Sequence, residues 1–216
     1  MKVIIITGGH IDDAFACDWI ETHPYDYMIA ADSGMNFLYR NQIVPNLIAG
    51  DFDSVNSESL EVFSRMNEVE MLRLNPIKDD TDTEFVIREA IRRGAKEITI
   101  LGATGTRLDH VLGNMHLLGI GIKEQVSISL VDAHNRIRII EKEHTIWKAE
   151  QFGDFVSLLP ICGDVKGVTL QGMKYPLSNA TISSFSSLGI SNEIVEEKAV
   201  INVAEGVLLL IESRDK

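Results

Sequence analysis

The stretch Pro45–Ser54, PNLIAGDFDS, decides how the first part of the chain is interpreted. Its apolar half, Asn46–Ala49, has the length and composition of a buried strand, and Asp51 and Asp53 follow it closely. Residues two apart on an extended segment share a face, so the two carboxylates are expected to project together while Phe52 turns into the protein. The stretch therefore predicts a buried strand that delivers two carboxylates at its carboxyl end.

Five further β-branched runs lie on either side of this strand and alternate with amphipathic stretches, a pattern typical of βαβ units around a parallel sheet. The six predicted strands are Lys2–Thr7, Tyr27–Ala31, Asn46–Ala49, Val69–Leu74, Glu97–Leu101 and Val126–Val131. The predicted helices are Asp12–Thr22, Gly34–Asn41, Ser57–Met66, Asp82–Arg93 and Leu108–Gly119. Thr81 and Glu84 are expected to form a capping box at the start of the fourth helix.

After about Asn135 the pattern changes to short apolar runs separated by Gly, Pro, Ser and Asn, which is typical of a β domain. The runs are Phe155–Leu159, Val165–Gln171, Ala180–Phe185, Ala199–Val203 and Val207–Glu212. Ala204-Glu205-Gly206 predicts a hairpin between the last two. We therefore predict an α/β fold with an N-terminal parallel-sheet α/β domain over residues 1–134, followed by a small C-terminal all-β sandwich or barrel domain over residues 135–216.

The composition excludes several classes of protein. With 216 residues and 45% apolar residues, the chain can bury a sizeable core. The 32 acidic and 20 basic residues leave a net charge of −12, which disfavours nucleic-acid binding and fits either solubility or attraction of a cation. Cys17 and Cys162 are too few for a disulfide framework, and no apolar run approaches the roughly 20 residues of a membrane helix. A cytoplasmic protein that does not bind membranes is predicted.

Acidic residues collect after the predicted strands of the first domain. They are Asp32 after the second strand, Asp51 and Asp53 after the third, Asp79, Asp80 and Asp82 after the fourth, and Asp109 past the fifth. The carboxyl ends of parallel strands share one edge, where ligands bind, so these side chains are expected to converge. Oxygen ligands without interleaved His or Cys suit Mg²⁺ held together with phosphate oxygens, which points to a nucleotide.

Each of these segments also has an ordinary structural interpretation. Asp32-Ser33-Gly34 fits a turn or a helix N-cap, Asp80-Thr81-Asp82 fits helix capping, and Asp51 with Asp53 fits a solvated loop. Leu101–His110 fits either a phosphate-binding turn, in which Arg107 pairs with phosphate, or a plain connection between strand and helix. Thr7–His10 is a second, weaker glycine turn. The chain contains neither a GxGxxG fingerprint nor a P-loop.

In this order, the four motifs Ala31–Gly34, Pro45–Ser54, Lys78–Asp82 and Leu101–His110 resemble the bacterial type of the thiamine pyrophosphokinase family. Gly172–Leu177 and Gly189–Glu193 are similar to that family's vitamin-binding segments. The resemblance covers nearly the whole chain. It implies Mg²⁺-dependent transfer of pyrophosphate from ATP to thiamine, giving thiamine diphosphate and AMP.

The resemblance also implies roles for individual residues. The metal would be held by Asp51, Asp53, Asp79 and Asp82, which with Arg107 form the catalytic set, although the third metal carboxylate stays open among Asp79, Asp80 and Asp82. The ATP pocket would be formed by Asp32, Ser33, Gly34, Lys78, Thr81, Arg107, Asp109 and His110. Ser191 and Asn192 would bind the pyrimidine of thiamine. The family is typically a homodimer whose active sites combine the α/β domain of one subunit with the β domain of the other.

Two other functions use the same residues and stay open at this point. A metal-dependent phosphohydrolase or nucleotidyltransferase needs the same carboxylates and glycine turns. A non-catalytic nucleotide or vitamin sensor fits the separate β domain, although several costly like charges serve a sensor poorly. The general base is also open: Asp82 is a candidate that the sequence does not select.

Overall fold

The β-branched runs of the unit Met1–Ala133 form a six-stranded parallel sheet in the computed structural model, which describes residues 1–53, 55–75 and 80–215. The strand order is β4-β3-β2-β1-β5-β6, and every neighbouring pair is parallel. The strands are β1 (Lys2–Ile6), β2 (Tyr27–Ala31), β3 (Leu47–Gly50), β4 (Glu70–Arg73), β5 (Glu97–Leu101) and β6 (Ser127–Val131). Each follows its predicted run within two residues at either end.

Six helices connect these strands in the part of the chain that the structure describes. They are α1 (Asp13–Thr22), α2 (Gly34–Arg40), α3 (Ser57–Ser64), α4 (Asp82–Arg92), α5 (Leu108–Leu117) and α6 (Gly119–Glu124). Thr81 caps α4, because its hydroxyl oxygen accepts a hydrogen bond from the backbone N–H of Glu84 at 3.2 Å. The Glu84 carboxylate instead accepts two bonds from Arg88, at 2.7 and 2.9 Å, so only the Thr81 half of the predicted capping box is present among the described residues. None of the helices in the described ranges is long and apolar enough to cross a membrane.

The unit His134–Lys216 is a sandwich of two antiparallel sheets. Its strands are β7 (Asn135–Ile140), β8 (His144–Trp147), β9 (Phe155–Pro160), β10 (Val165–Gln171), β11 (Leu177–Ile182), β12 (Lys198–Asn202) and β13 (Leu208–Ser213). The orders are β7-β13-β9 and β11-β10-β12-β8. Both sheets supply one core, with Val156 and Leu210 from the first and Val168 and Ile201 from the second. This architecture, after a parallel sheet with helices, confirms the predicted fold class.

The predicted hairpin between the last two strands is wrong. β12 pairs with β10 and β8, whereas β13 pairs with β7 and β9, so the segment Ala204–Gly206 carries the chain from one sheet to the other. Gly206 does take the left-handed φ of 103° that the turn signal indicated. The local turn chemistry was correct, but both strands bury one face, and such a pattern suits two sheets as well as one.

Candidate active site

A cavity of about 670 Å³ opens at the carboxyl edge of the parallel sheet. The loops after β1, β2, β3 and β5 and the starts of α4 and α5 form its walls. The lining residues are Thr7, Gly8, Gly9, His10, Ala31, Asp32, Ser33, Asp51, Asp80, Thr81, Asp82, Thr83, Gly102, Ala103, Thr104, Gly105, Thr106, Arg107, His110, Val111 and Asn114. This wall is polar and rich in glycine, as a site for a phosphorylated ligand requires.

Three carboxylates converge beside this cavity. One oxygen from each of Asp32, Asp51 and Asp53 lies within 4.8 Å of the other two. The negative charge of Asp51 raises the pKa of Asp53, and the charges of Asp32 and Asp82 act in the same direction. Like charges at this separation repel, so the arrangement is suited to a cation.

The turn Asp51–Asp53 differs from the extended segment that the sequence predicted. Phe52 has a left-handed φ of 66°, which is uncommon for a bulky residue, and its side chain is buried. The backbone N–H of Asp53 donates to the Asp51 carboxylate at 3.1 Å. A tight turn around the buried Phe52 ring, rather than strand alternation, therefore brings the two carboxylates together. The left-handed backbone at Phe52 is of the kind that clusters at active sites and ligand-binding sites.

Two glycine loops hold the rest of the wall by backbone contact. The N–H of Gly9 donates to the carbonyl of Gly102 at 2.9 Å, and the N–H of His10 donates to that of Thr104 at 3.0 Å. A Cβ on Gly9 would lie 2.2 Å from the Gly102 oxygen, so only glycine allows this approach. The side-chain amide of Asn114 donates to the Ala103 carbonyl at 2.7 Å and fixes the second loop to α5.

Arg107 and Asp109 form an exposed ion pair at the start of α5. The Arg107 guanidinium donates two hydrogen bonds to the Asp109 carboxylate, at 2.6 and 3.2 Å. These bonds lower the pKa of Asp109 to about 2. Because the two side chains are 70% and 64% exposed, the arginine can exchange this partner for another anion at little cost.

A second cavity, of about 260 Å³, lies in the unit His134–Lys216. Its lining is mainly apolar and consists of Leu170, Tyr175, Leu177, Ser187, Leu188, Gly189, Ile190 and Asn192. Ser191 lies between two of these residues, is exposed, and has a left-handed φ of 53°. The two predicted vitamin-binding segments thus meet at one cavity.

The structure brings most of the predicted nucleotide and metal residues to the first cavity. Those in its lining are Asp32, Ser33, Asp51, Thr81, Asp82, Arg107 and His110. Gly34 is buried behind it, where a Cβ would lie 2.2 Å from the Ile6 carbonyl oxygen. Lys78 and Asp79 lie outside the described residues.

The sequence interpretation placed Asp32 in the ATP pocket; in the structure Asp32 lines the first cavity, and one of its oxygens also lies close to those of Asp51 and Asp53. Asp32 has a left-handed φ of 47° where it lies next to Asp51 and Asp53, and no local sequence pattern indicates this conformation. The sequence missed Thr83 and Asn114 and gave the Thr7–His10 turn too little weight, although that turn follows a strand just as the acidic motifs do.

A carboxylate cluster beside a cavity at the carboxyl edge of a parallel sheet indicates the class: an α/β enzyme that binds its ligand at the ends of the strands. Comparison with known proteins narrows the class. The family model "Thiamin pyrophosphokinase, catalytic domain" matches residues 21–130, and "Thiamin pyrophosphokinase, vitamin B1 binding domain" matches residues 143–208. The chain belongs to the thiamin pyrophosphokinase family.

Relatives over the full length agree with this assignment. The chain is 33% identical to the thiamine pyrophosphokinase of Bacillus subtilis, and the match covers 100% of both chains. A crystal structure of thiamine pyrophosphokinase from Bacillus subtilis superposes with a TM-score of 0.89 at 31% identity, again over 100% of both chains. The thiamin pyrophosphokinase of Geobacillus thermodenitrificans gives a TM-score of 0.84 at 31% identity, covering 100% of this chain and 99% of the other.

Proposed function

We propose that this chain carries out its family's reaction, transfer of pyrophosphate from ATP to thiamine, with ATP in the 670 Å³ cavity and Mg²⁺ at the three carboxylates. The observation that carries the proposal is the approach of the Asp32, Asp51 and Asp53 oxygens to within 4.8 Å. A protein gains no stability from like charges held this close, so a bound cation gives the arrangement its purpose.

The three carboxylates fit Mg²⁺ in chemistry and in spacing. Ligand oxygens around an octahedral Mg²⁺ lie roughly 2.9 to 4.1 Å apart, so the side chains of Asp32, Asp51 and Asp53 need only small rotations to coordinate it. Asp82 lines the same cavity and is placed to complete the set or to hold a bound water. When bound, the ion would neutralise phosphate charge and orient the triphosphate.

The residues around the cavity would then position ATP for in-line attack by the thiamine hydroxyl on the β-phosphorus, with AMP as the leaving group. Gly8, Gly102 and Gly105 line the cavity and have no side chains that would keep phosphate oxygens away from the main chain. Arg107 can leave Asp109 and direct its planar fork at the phosphate that gathers charge. In transfers of this kind, positioning and charge neutralisation supply most of the rate enhancement.

Thiamine is proposed to bind in the 260 Å³ cavity of the second unit. Leu170, Leu177, Leu188 and Ile190 give this cavity the apolar walls that an aromatic ring requires. Ser191 offers an exposed hydroxyl at its rim. The cationic thiazolium ring would also be attracted by a chain whose net charge is −12.

We also propose that the protein is a homodimer, because each cavity has large apolar side chains exposed near it. Leu108 and Leu112, one turn apart on α5, are 72% and 57% exposed. Phe185, close in sequence to the second cavity, is fully exposed, and Ile190 in its wall is 42% exposed. A second copy that covers both patches would bring thiamine from one subunit to ATP on the other.

Complementation tests this arrangement. Asp51→Asn damages the first cavity and Ile190→Asp the second. If partners share sites, refolding the two variants together should restore about one quarter of wild-type activity, because half of the dimers are mixed and each mixed dimer has one intact site. Sedimentation of a monomer, or no recovery in the mixture, would rule out the shared site.

The function itself is tested by product analysis. Purified protein should release AMP from ATP only when Mg²⁺ and thiamine are both present, and thiamine diphosphate should form in equal amount. A phosphohydrolase would consume ATP without thiamine. A sensor would bind thiamine in calorimetry but give no Mg²⁺-dependent turnover. Either result would replace the proposal.

A further inference from the structure

Asn192 joins two parts of the β unit. Its main chain exchanges two hydrogen bonds with Val156 on β9, at 2.8 and 3.0 Å. Its side chain reaches the opposite way, to the turn before β11. There its carboxamide oxygen accepts from the N–H of Tyr175 at 3.0 Å, and its amide nitrogen donates to the carbonyl of Tyr175 at 2.8 Å.

The hydrogen-bonding capacity of this side chain is fully used. An asparagine amide offers two acceptor sites and two N–H donors. The oxygen also accepts from the backbone N–H of Glu193 at 2.9 Å, and the amide nitrogen lies 3.8 Å from the Met173 sulfur. Asn192 is only 3% exposed. Turning it toward a ligand would break both of its hydrogen bonds to the main chain of Tyr175.

We propose that Asn192, although it lines the cavity, is a positioning residue for thiamine binding that acts through Tyr175, and that its side-chain amide makes no hydrogen bond to the vitamin. The inference rests on the proposed function, in which the 260 Å³ cavity takes thiamine. It replaces the direct pyrimidine contact that the sequence resemblance implied for Asn192.

Tyr175 needs such support because its side chain has little packing of its own. The residue lines the cavity and is 58% exposed, and the Lys174 ammonium stands 5.7 Å from its ring centroid. Hydrogen bonds to the main chain of Tyr175 therefore decide where the ring stands. Asn192 supplies bonds to both the N–H and the carbonyl of that residue.

The part of the cavity wall formed by Gly189 and Ile190 is held by hydrogen bonds that do not involve the Asn192 side chain. The carbonyl of Gly189 accepts from the N–H of Leu158 at 2.9 Å, and the N–H of Ser191 donates to the Ser157 hydroxyl at 2.9 Å. Loss of the Asn192 amide should thus shift one wall and leave the other in place. The result would be a wider cavity that binds thiamine less tightly but delivers it to the same reaction.

The first test is Asn192→Asp, which keeps the shape and the accepting oxygen but replaces the N–H donor that serves the Tyr175 carbonyl. We expect KM for thiamine to rise on the order of 10-fold, with kcat within about twofold and KM for ATP unchanged. The control is Asn202→Asp, which makes the same chemical change on β12. Asn202 lies on the face of the strand opposite to the buried Ile201, and its substitution should change none of these values. A fall in kcat on the order of 10-fold, with KM for thiamine unchanged in Asn192→Asp, would overturn the proposal.

A thiamine analogue separates positioning from contact. Oxythiamine carries an oxo group where thiamine carries the pyrimidine amino group. If Asn192 acts only through Tyr175, Asn192→Ala, which removes both the amide nitrogen and the accepting oxygen, should weaken binding of thiamine and oxythiamine by the same factor. If Asn192 bonds the amino group, the variant should lose affinity for thiamine but keep its affinity for oxythiamine, and the proposal fails.

Tyr175→Ala gives an arm that leaves Asn192 intact. It should raise KM for thiamine at least as far as Asn192→Asp does, and the double variant should be no worse than Tyr175→Ala alone. Additive losses, or an unchanged KM in Tyr175→Ala, would contradict the inference.

Amide hydrogen exchange needs no catalysis and so separates this inference from the proposed function. Asn192→Ala removes the oxygen that accepts from the Tyr175 N–H, so the amide of Tyr175 should exchange faster in this variant than in wild type, and unchanged exchange would refute the coupling. If wild-type protein fails to release AMP with thiamine, the proposed function falls, while exchange still decides whether Asn192 holds Tyr175.

Discussion

The two units each contain a tight group of ionised side chains, and the two groups are built in opposite ways. In the unit Met1–Ala133, Asp32, Asp51 and Asp53 are alike in charge and lie beside an open cavity. In the unit His134–Lys216, Glu212 is completely buried, yet Arg136 holds it at 2.7 and 2.8 Å and Arg138 holds it at 2.5 Å.

The difference shows how a structural charge cluster can be told from a functional one. Burial alone would raise the pKa of Glu212, but the hydrogen bonds from Arg136 and the charges of both arginines outweigh it and lower the pKa. At Asp53 the neighbouring charge of Asp51 raises the pKa instead. In a cluster that satisfies its own charges the loss of one partner leaves a buried charge unpaired, whereas like charges that repel at an open edge fit the proposed cation site.

The largest effect is expected from breaking the satisfied cluster, which consists of Glu212, Arg136 and Arg138. Glu212→Ala leaves two arginines without their buried counter-ion, which should cost about 3 to 5 kcal/mol of unfolding free energy. Glu212→Gln keeps the shape and should cost less. Urea denaturation of both variants measures the difference, and an unchanged midpoint for Glu212→Ala would show that the buried ion pairs contribute nothing.

A substitution in the repelling cluster, which consists of Asp32, Asp51 and Asp53, should lower activity and leave stability unchanged. Asp51→Asn removes one proposed Mg²⁺ ligand, and we expect kcat/KM to fall on the order of 100-fold, equivalent to about 2.7 kcal/mol of transition-state stabilisation. The melting temperature without metal should not decrease, because one repulsive charge is gone. Asp18→Asn, on the exposed face of α1, serves as the control. Wild-type turnover in Asp51→Asn would remove the basis for the metal site.

Arg107 lies between the two types, since it is paired but exposed. Arg107→Lys keeps the charge but loses the planar fork that now holds Asp109, and kcat/KM for ATP should fall on the order of 10-fold with stability unchanged. The matched control is Arg65→Lys, in an exposed ion pair with Glu61 on α3. Equal activity of Arg107→Lys and wild type would show that Arg107 plays no part in phosphate binding.

The sequence predicted those parts of the fold that depend on local burial. All four residues of β3 are buried, so the run that forms it is continuous and easily identified. β7 and β8 were missed because Arg136, Arg138 and His144 interrupt their apolar pattern, and these residues find partners or cover only in the folded sandwich. The sheet that a strand joins, as β12 and β13 show, is set by long-range packing that no local turn encodes.

In the candidate site, too, the sequence predicted the features that depend on local pattern and missed those that depend on long-range packing. The order of the acidic and glycine motifs predicted which strand ends would meet at the first cavity. It could not predict that left-handed backbones at Asp32 and Phe52 would accompany the three-carboxylate group. Nor could it show that the Asn192 amide is already taken by Tyr175, because that contact spans 17 residues and depends on the turn before β11.

The smallest predicted effect is a pH dependence of stability that comes from His144, a neighbour of the charges of the satisfied cluster. Burial, followed by the charge of Arg138, lowers the pKa of His144 to about 4 from its ordinary 6.5, and its Nε2 atom is buried without a hydrogen-bond partner among the described residues. A base with a lowered folded pKa gives stability that is present above the unfolded pKa and is lost as pH falls toward the folded one. Wild-type stability should therefore decline between pH 6.5 and 4, by on the order of 1 kcal/mol after solvent screening, and His144→Gln should lack this component. Urea midpoints of both proteins across that range isolate the difference, because all other groups titrate in both. Parallel curves would mean that His144 is protonated as readily in the folded chain as in the unfolded one, and that burial beside two arginines does not penalise a further positive charge.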